Sequence, residues 1–287
     1  MHILFIIPYP IESAPSQRFR FEQYFEILKK KGWCLKISSF INDHTWKILY
    51  KRGHIFSKAY GILKGFIRRF YILLIVKKYD YVYIHREATP IGPPISEWII
   101  SKIIKKRIIY DFDDAIWMTD TSETNKIISN IKCHWKVSMI CKWAYKVSCG
   151  NEYLCGYAKQ FNNNVILNPS TIDNTHIHNK IKEHNKDKVI IGWTGSHSTL
   201  EYLDIILPVI RKLETKYNFE FWIISNKKPK FKLRSLVFKQ WQKSTEVSDL
   251  INLNIGLMPL KDDQWAKGKC GLKALQYMAL GIPPVDR

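Results

Sequence analysis

Short apolar runs rich in β-branched and aromatic residues alternate with amphipathic stretches along the whole chain, and this alternation restricts the fold more than any other feature. Runs of this kind, separated by helical patterns, are the signature of βαβ units, in which parallel strands are joined by crossover helices. Ile3–Ile7 opens the series as a strand, followed by a loop with Pro and Ser and a helix predicted over 17–31. Further strands are predicted over 35–40, 81–85, 107–112, 146–149 and 165–167, with helices over 95–105 and 125–145. A polar stretch rich in Asn, His and Lys runs from Asn168 to Lys188, and then the pattern restarts. Strands are predicted at 189–193, 219–224 and 255–258, helices at 200–217, 247–250 and 272–280, and Pro284-Val285 begins one more strand. The basic piece before residue 247 is too irregular to carry a predicted element. The expectation is an α/β chain of two Rossmann-like, doubly wound domains, 1–168 and 188–287, joined by a linker over 169–187. Open parallel sheets bind ligands outside the C-terminal ends of their strands, so such domains are expected to face a cleft.

The formal charge is +20, from 45 Lys and Arg against 25 Asp and Glu. A balance that basic favours anionic partners: nucleic acid, lipid head groups or phosphorylated substrates. No helix-turn-helix, zinc-finger or aromatic-platform motif accompanies the charge, which argues against nucleic acid. No GxGxxG follows a strand, which argues against a dinucleotide-dependent oxidoreductase. The 6 cysteines form no CxxC pair and no metal or disulfide spacing, so thiols in a reducing compartment are expected. Ile3 to Ile7 lacks the basic flank of a signal peptide, and the uncharged run from Phe70 to Val76 is far short of the ~20 residues that span a bilayer. A cytoplasmic protein follows as the expectation.

Two segments of the second half carry chemistry. Ile190 to Thr199 runs from a strand through Gly195-Ser196-His197 into a helix. Small residues there admit a ligand to the backbone, and a helix N-terminus favours a diphosphate. The same turn also reads as a plain helix cap, since Ser196, Ser198 and Thr199 are good capping residues. In Lys267 to Pro283, Lys269, Lys273 and Gln276 fall at i, i+4 and i+7 on one face of a helix start, and Gly281 stops that helix. Cations at a helix start are unfavourable alone, and an anionic ligand between them would resolve the conflict.

Gly271-Leu272-Lys273-Ala274-Leu275 with Met278-Ala279-Leu280-Gly281-Ile282-Pro283 resembles the donor-binding signature near the C-terminus of family-4 glycosyltransferases. Other pieces agree in chain order: Pro8-Tyr9-Pro10 with Ser16 to Arg20, Tyr110 to Asp114, Gly150 to Leu154, Gly192 to Ser196 and Ile255 to Leu260. The resemblance covers essentially the whole chain. It implies the GT-B fold, a nucleotide-sugar donor (UDP- or GDP-linked) in the second domain, and transfer with retention of anomeric configuration. Gly195, Ser196, His197, Lys267, Lys269, Gly271, Lys273 and Gln276 are its donor-binding candidates. Gly268 and Gln276 stand where many members carry glutamates; Gln276 can still hydrogen-bond a ribose or sugar hydroxyl, though not as an anion. The family also continues for further strands and a terminal helix beyond the point reached at Arg287, so a second domain incomplete at its C-terminus is expected. A truncated, non-catalytic homologue that binds a membrane or a partner is the alternative reading.

In the first domain, Ser13, Gln17, Arg18 and Arg20 lie in the loop and helix start after the first strand, where an acceptor or phosphate could meet the arginines. His85, Arg86 and Glu87 follow the third strand, and Asp111, Asp113 and Asp114 the fourth, both at the edge where ligands bind. The arginines also read as solvated helix charges, and the two strand-end groups as loop capping or turn formation. His85 and Asp113 are the catalytic candidates, as groups that position the reactants while the leaving phosphate takes the acceptor proton. Asp111-Phe112-Asp113 spells a DxD metal motif, but its place in a first α/β domain argues against that use. Lysines, arginines and a helix terminus neutralise a leaving diphosphate without a metal or other cofactor, so none is expected. His176, His178 and His184 read as part of an exposed linker rather than a metal site. Residues 44–79 contain no Asp or Glu and interleave lysines and arginines with aromatic residues. Basic amphipathic helices of this kind lie on anionic bilayer surfaces, so peripheral attachment to the inner face of the plasma membrane is expected, with a surface glycan such as lipopolysaccharide or capsule, or a lipid-linked precursor, as acceptor.

Overall fold

The computed structural model describes residues 1–49, 51, 53–118, 131–184 and 188–286. Its contacts divide the chain into two compact units: Met1–Ser170 with Lys267–Cys270, and Thr171–Ala266 with Gly271–Arg287.

The first unit is built on six parallel strands: β1 (His2–Ile7), β2 (Cys34–Ser39), β3 (Tyr81–His85), β4 (Arg107–Phe112), β5 (Lys146–Cys149) and β6 (Val165–Leu167). They lie in the order β2-β1-β3-β4-β5-β6. The order reverses between β1 and β3, and at such a switch point the two following loops diverge and leave a crevice. Helices α1 (Pro15–Arg20), α2 (Phe25–Lys30), α3 (Asp43–Leu49), α4 (Ile55–Ile75), α5 (Ile95–Trp98, continued by a π turn over Ile99–Ile103), α6 (Lys136–Trp143) and α7 (Glu152–Lys159) make the connections. The helix predicted over 17–31 is broken. Phe21 leaves helical geometry at φ −143°, ψ −29°, which carries its ring to 5.7 Å from Phe5 and 5.4 Å from Tyr83. With Phe25, Ile3 and Ile7 it forms an aromatic-rich core under β1, each such side chain contributing about 1.5–3 kcal/mol by burial. Four consecutive buried residues, Gln17 to Arg20, could not share one face of a continuous helix. Of the helix predicted over 125–145, residues 125–130 lie outside the described residues and α6 lies within the rest.

The second unit has five parallel strands, β7 (Val189–Gly195), β8 (Phe219–Ser225), β9 (Leu236–Gln240), β10 (Ile255–Met258) and β11 (Pro284–Asp286), ordered β11-β10-β7-β8-β9. Its helices are α8 (Leu207–Glu214), α9 (Glu246–Leu250), α10 (Gln264–Lys267, whose last residue groups with the first unit) and α11 (Leu272–Ala279). The switch point falls between β7 and β10. Alternation along β8 sends Phe219, Phe221 and Ile223 into one core and Trp222 and Ile224 into another, so both faces of the sheet are covered. The helix predicted over 200–217 starts instead as a 3-10 segment over His197–Ile205, and α8 begins with Pro208 in its first turn, where a missing N–H costs nothing. Strand β9 falls in the basic piece that carried no expected element. It is an edge strand paired with β8, and its Lys239 lies over the Trp222 ring at 4.5 Å.

Cys34 is exposed at the start of β2, whereas Cys141, Cys149 and Cys155 are buried. Burial pushes the Cys141 thiol up to about 12.

Candidate functional site

The carboxyl ends of both sheets carry the residues singled out from the sequence, and the two edges are built differently.

At the first edge, Asp111 is fully buried at the end of β4. Arg20 grips both its oxygens, with Nε 2.9 Å from Oδ2. His85 Nδ1 lies 2.8 Å from Oδ2, and Ser148 donates from 2.7 Å to Oδ1. Burial alone would raise the Asp111 carboxyl; the Arg20 charge and the hydrogen bonds from His85 and Arg20 overcome it and hold the group well below the usual carboxylate range. Arg20 also donates to the Asn168 carbonyl. Gln17, fully buried, fastens the loop after β1: its amide donates to the carbonyls of Tyr9 and Pro10 and to Glu22, and its oxygen accepts from the Tyr9 N–H. Arg18 is buried with its guanidinium over Phe19. Burial thus gives Gln17, Arg20, His85 and Asp111 inward, scaffolding contacts in place of the open acceptor loop expected from the sequence. His85 Nε2 is buried with no hydrogen-bond partner among the described residues.

The more open groups sit just beyond this layer. Arg86 has a left-handed backbone, φ 60°, which turns the chain sharply after β3. Its guanidinium pairs with Asp113 at 3.0 Å and with Asp114. Lys269, from the segment that groups with the first unit, pairs with Asp114 at 2.9 Å. Burial opposes ionisation of Asp114, but Lys269 and Arg86 win and lower it. The Cys270 thiol donates to the Asp113 carbonyl at 3.1 Å, and the Asn151 side-chain amide donates to the carbonyls of Lys267 and Lys269. Gly150 lets the Cys270 sulfur pack against the chain: a Cβ there would lie 2.3 Å from it. Glu87 pairs with buried Lys136 at 2.6 Å. Ser13 is half-buried, its hydroxyl 3.5 Å from the Ile11 carbonyl, and Lys267 is exposed.

The second edge is made of small residues over an aromatic floor. Trp193, on β7, is fully buried. A Cβ at Gly195 would lie 2.4 Å from its ring, so only glycine lets the chain cross this indole. The Lys273 ammonium, in the first turn of α11, lies over the same ring, 4.5 Å from its centroid. Gly195 and Lys273 therefore meet one indole at the carboxyl end of β7 beside the switch point, and exposed Ser196 follows Gly195 in the chain. His197 is held to one side: its N–H donates to Asn226 at 2.7 Å and its Nδ1 lies 3.2 Å from the Asn226 amide. Gly271 starts α11 with φ 65°, a conformation that suits glycine. Gln276 is buried and its amide lies 3.4 Å from Nε2 of His178, also buried. It faces inward, and His178 is packed into the unit rather than exposed in a linker. Tyr277 holds α11 to the sheet: its hydroxyl accepts from the Thr194 N–H and lies 3.3 Å from the Leu257 carbonyl. Among the described residues there is no cluster of three metal-ligating side chains. Trp193 and Tyr277, the ring that supports the turn and the hydroxyl that pins the helix, were missed in the sequence. An aromatic residue two positions before a glycine at a strand end was the available signal.

No protein-family model matches the chain, and no curated protein matches it. Solved structures do. Sucrose-phosphate synthase from Thermosynechococcus elongatus superposes with a TM-score of 0.63 at 13% identity, over 99% of this chain and 80% of that one. The lipopolysaccharide outer core galactosyltransferase WaaB gives 0.61 at 13%, over 100% and 80%. The fold is GT-B. The catalytic domain of starch synthase IV from Arabidopsis thaliana, solved with ADP and acarbose, gives 0.64 at 10%, over 100% of this chain and 82% of that one. At identities of 10–13% the likeness is one of GT-B architecture.

Proposed function

We propose that this GT-B protein is a glycosyltransferase that moves a sugar from a nucleoside-diphosphate sugar, UDP- or GDP-linked, to a hydroxyl of a surface glycan or a lipid-linked precursor. The observation that carries the reading is the meeting of Gly195 and Lys273 on the Trp193 indole at the switch point of the second sheet. Open α/β sheets bind nucleotides at that position, and a glycine turn with an ammonium suits a diphosphate.

During transfer, negative charge grows on the leaving diphosphate, and a preorganised cation that meets this charge lowers the barrier. Lys273 supplies it, shifting from the indole toward the phosphate oxygens, with the Gly195-Ser196 backbone alongside. Charge neutralisation by side chains is the reason to read the reaction as independent of metal, and the family-4 resemblance is the reason to read it as retaining. In the first unit, the buried Arg20–Asp111–His85 layer fixes the loops that carry Asp113 and Arg86, which orient the acceptor. Isothermal titration against UDP, GDP and their sugar conjugates tests the reading. Heat of binding for one nucleotide, weakened about tenfold or more in Lys273→Ala, is the expected outcome. A folded protein that binds neither nucleotide would instead favour a non-catalytic GT-B homologue.

A further inference from the structure

Helix α4 is amphipathic the wrong way round for a soluble protein. Its inward face carries Gly61, Gly65 and Arg69 with Ile72, all buried. The two glycines bring the helix backbone against Thr45 and Phe40; a Cβ at Gly61 would lie 2.2 Å from the Thr45 hydroxyl, and one at Gly65 2.8 Å from the Phe40 ring. Arg69 then pins the helix by donating to the carbonyls of Ile7, Ser38 and Ala88. The outward face carries the bulk. Phe56, Tyr60, Leu63, Ile67, Phe70 and Leu74 follow one another at spacings of four and three, a single stripe at helical period, and each is more than half exposed, Phe56 at 91%. Scattered exposed apolar residues are ordinary, but a continuous stripe of them marks an interaction surface.

The charge around the stripe selects the occupant. Residues 44–79 hold 9 lysines and arginines and no Asp or Glu; Arg68 and Arg69 are engaged by backbone carbonyls, and lysines supply the exposed charge. Lys64 lies over the Tyr60 ring at 4.4 Å, so a cation sits on the edge of the stripe itself. A second copy of this helix would bring like charges together, whereas an anionic bilayer offers hydrocarbon to the stripe and phosphate to its basic borders. A cavity of about 250 Å³ adjoins the stripe at Tyr60, lined also by His44, Ser57 and Lys64, side chains suited to a head-group phosphate. Among the described residues no helix is long and apolar enough to cross a membrane. We propose that α4 lies flat on an anionic lipid bilayer, its Phe56–Leu74 stripe inserted among the acyl chains and the exposed lysines beside it, Lys64, Lys77 and Lys78, on the head groups.

The proposal does not depend on donor binding, and its test reads partitioning rather than activity. The full chain is sedimented with phosphatidylcholine vesicles, with and without phosphatidylglycerol, at low and high salt. The wild type is expected to pellet with the anionic vesicles and to be released by salt. A Phe56→Gln/Phe70→Gln/Leu74→Gln variant, altered only at exposed positions, should keep its thermal melt and lose at least about tenfold in partition coefficient. Lys64→Gln/Lys77→Gln/Lys78→Gln should lose affinity for anionic vesicles by a factor of a few per charge, from about 1 kcal/mol each. Wild-type protein left in the supernatant at low salt would overturn the proposal, as would a folded apolar-stripe variant that binds as well as wild type. So would a stripe that drives self-association in sedimentation velocity without vesicle binding.

Discussion

The carboxyl edges of the two sheets solve the same geometric problem with opposite materials. In the first unit the loops after β1, β3 and β4 are tied down by charge: Arg20 to Asp111, Arg86 to Asp113 and Asp114, Lys269 to Asp114. In the second, the turn after β7 is shaped by a glycine crossing an indole, and the cation beside it rests on that ring's face. A buried ion pair fixes a geometry because breaking one partner strands the other. An aromatic face gives an ammonium no counter-charge and holds it by about 0.5–2 kcal/mol, weakly enough for an anion to draw it away. The first edge is therefore suited to hold a fixed shape, and the second to receive a charged ligand.

Substitutions can break this contrast, the largest effect coming first. Asp111→Asn should cost about 3–5 kcal/mol in urea unfolding, because it leaves Arg20 charged and buried without its anion. The depressed Asp111 carboxyl gives the sign of the pH dependence. Its stabilisation is fully present above the ordinary carboxylate pKa of about 4 and is lost as pH falls toward its lower folded-state value. The gap between wild type and Asp111→Asn should accordingly narrow in acid, and a gap that widened there would contradict the network as described. Gly256→Ala comes next. Its Cβ would lie 2.4 Å from the Tyr277 ring, and the overpacking should cost about 1–3 kcal/mol in thermal unfolding.

Two lysines sharpen the comparison further. Lys269→Ala should cost about 1 kcal/mol in stability through its partly exposed pair with Asp114. Lys273→Ala should change stability by less than that and lower nucleotide affinity by about tenfold or more. If both affect stability equally and neither affects nucleotide binding, the two edges do not differ in kind. The smallest effect is expected of Asn226→Ala, about 0.5 kcal/mol, through the lost, exposed hydrogen bond to the His197 N–H.

The sheets were legible in the sequence because buried parallel strands are near-continuous apolar runs, as in Ile3–Ile7 and Phe219–Ile224. Edge strand β9 was not, since only part of Leu236–Gln240 is covered and lysines surround it. The helix predicted over 17–31 failed for a tertiary reason: Phe21 gives up helical geometry to reach the core under β1. His85, Asp111 and Gly195 lie at the carboxyl ends of their strands, and Arg86, Asp113 and Asp114 just beyond. What the sequence could not supply was which of them turn inward. Gln17, Arg20, His85 and Asp111 have the residue types of an open site, and only burial separates them from Asp113 and Arg86 a few positions away. The same holds for Gln276, whose partner His178 lies far along the chain in a stretch that reads as exposed.

The thiols differ as the edges do. Cys34 stands in solvent at the head of β2, while Cys141, Cys149 and Cys155 are packed in the core, and burial beside Asp113 pushes the Cys270 thiol up to about 12. Maleimide attack requires an accessible thiolate, so at neutral pH Cys34 should label well ahead of those four. With half-buried Cys133 replaced by serine, the chain carries a ready attachment point for one fluorophore in its first unit, at Cys34, remote in sequence from Lys273, Trp193 and the stripe of α4. An immobilised or dye-tagged protein for following nucleotide and vesicle binding can be made without altering any of them.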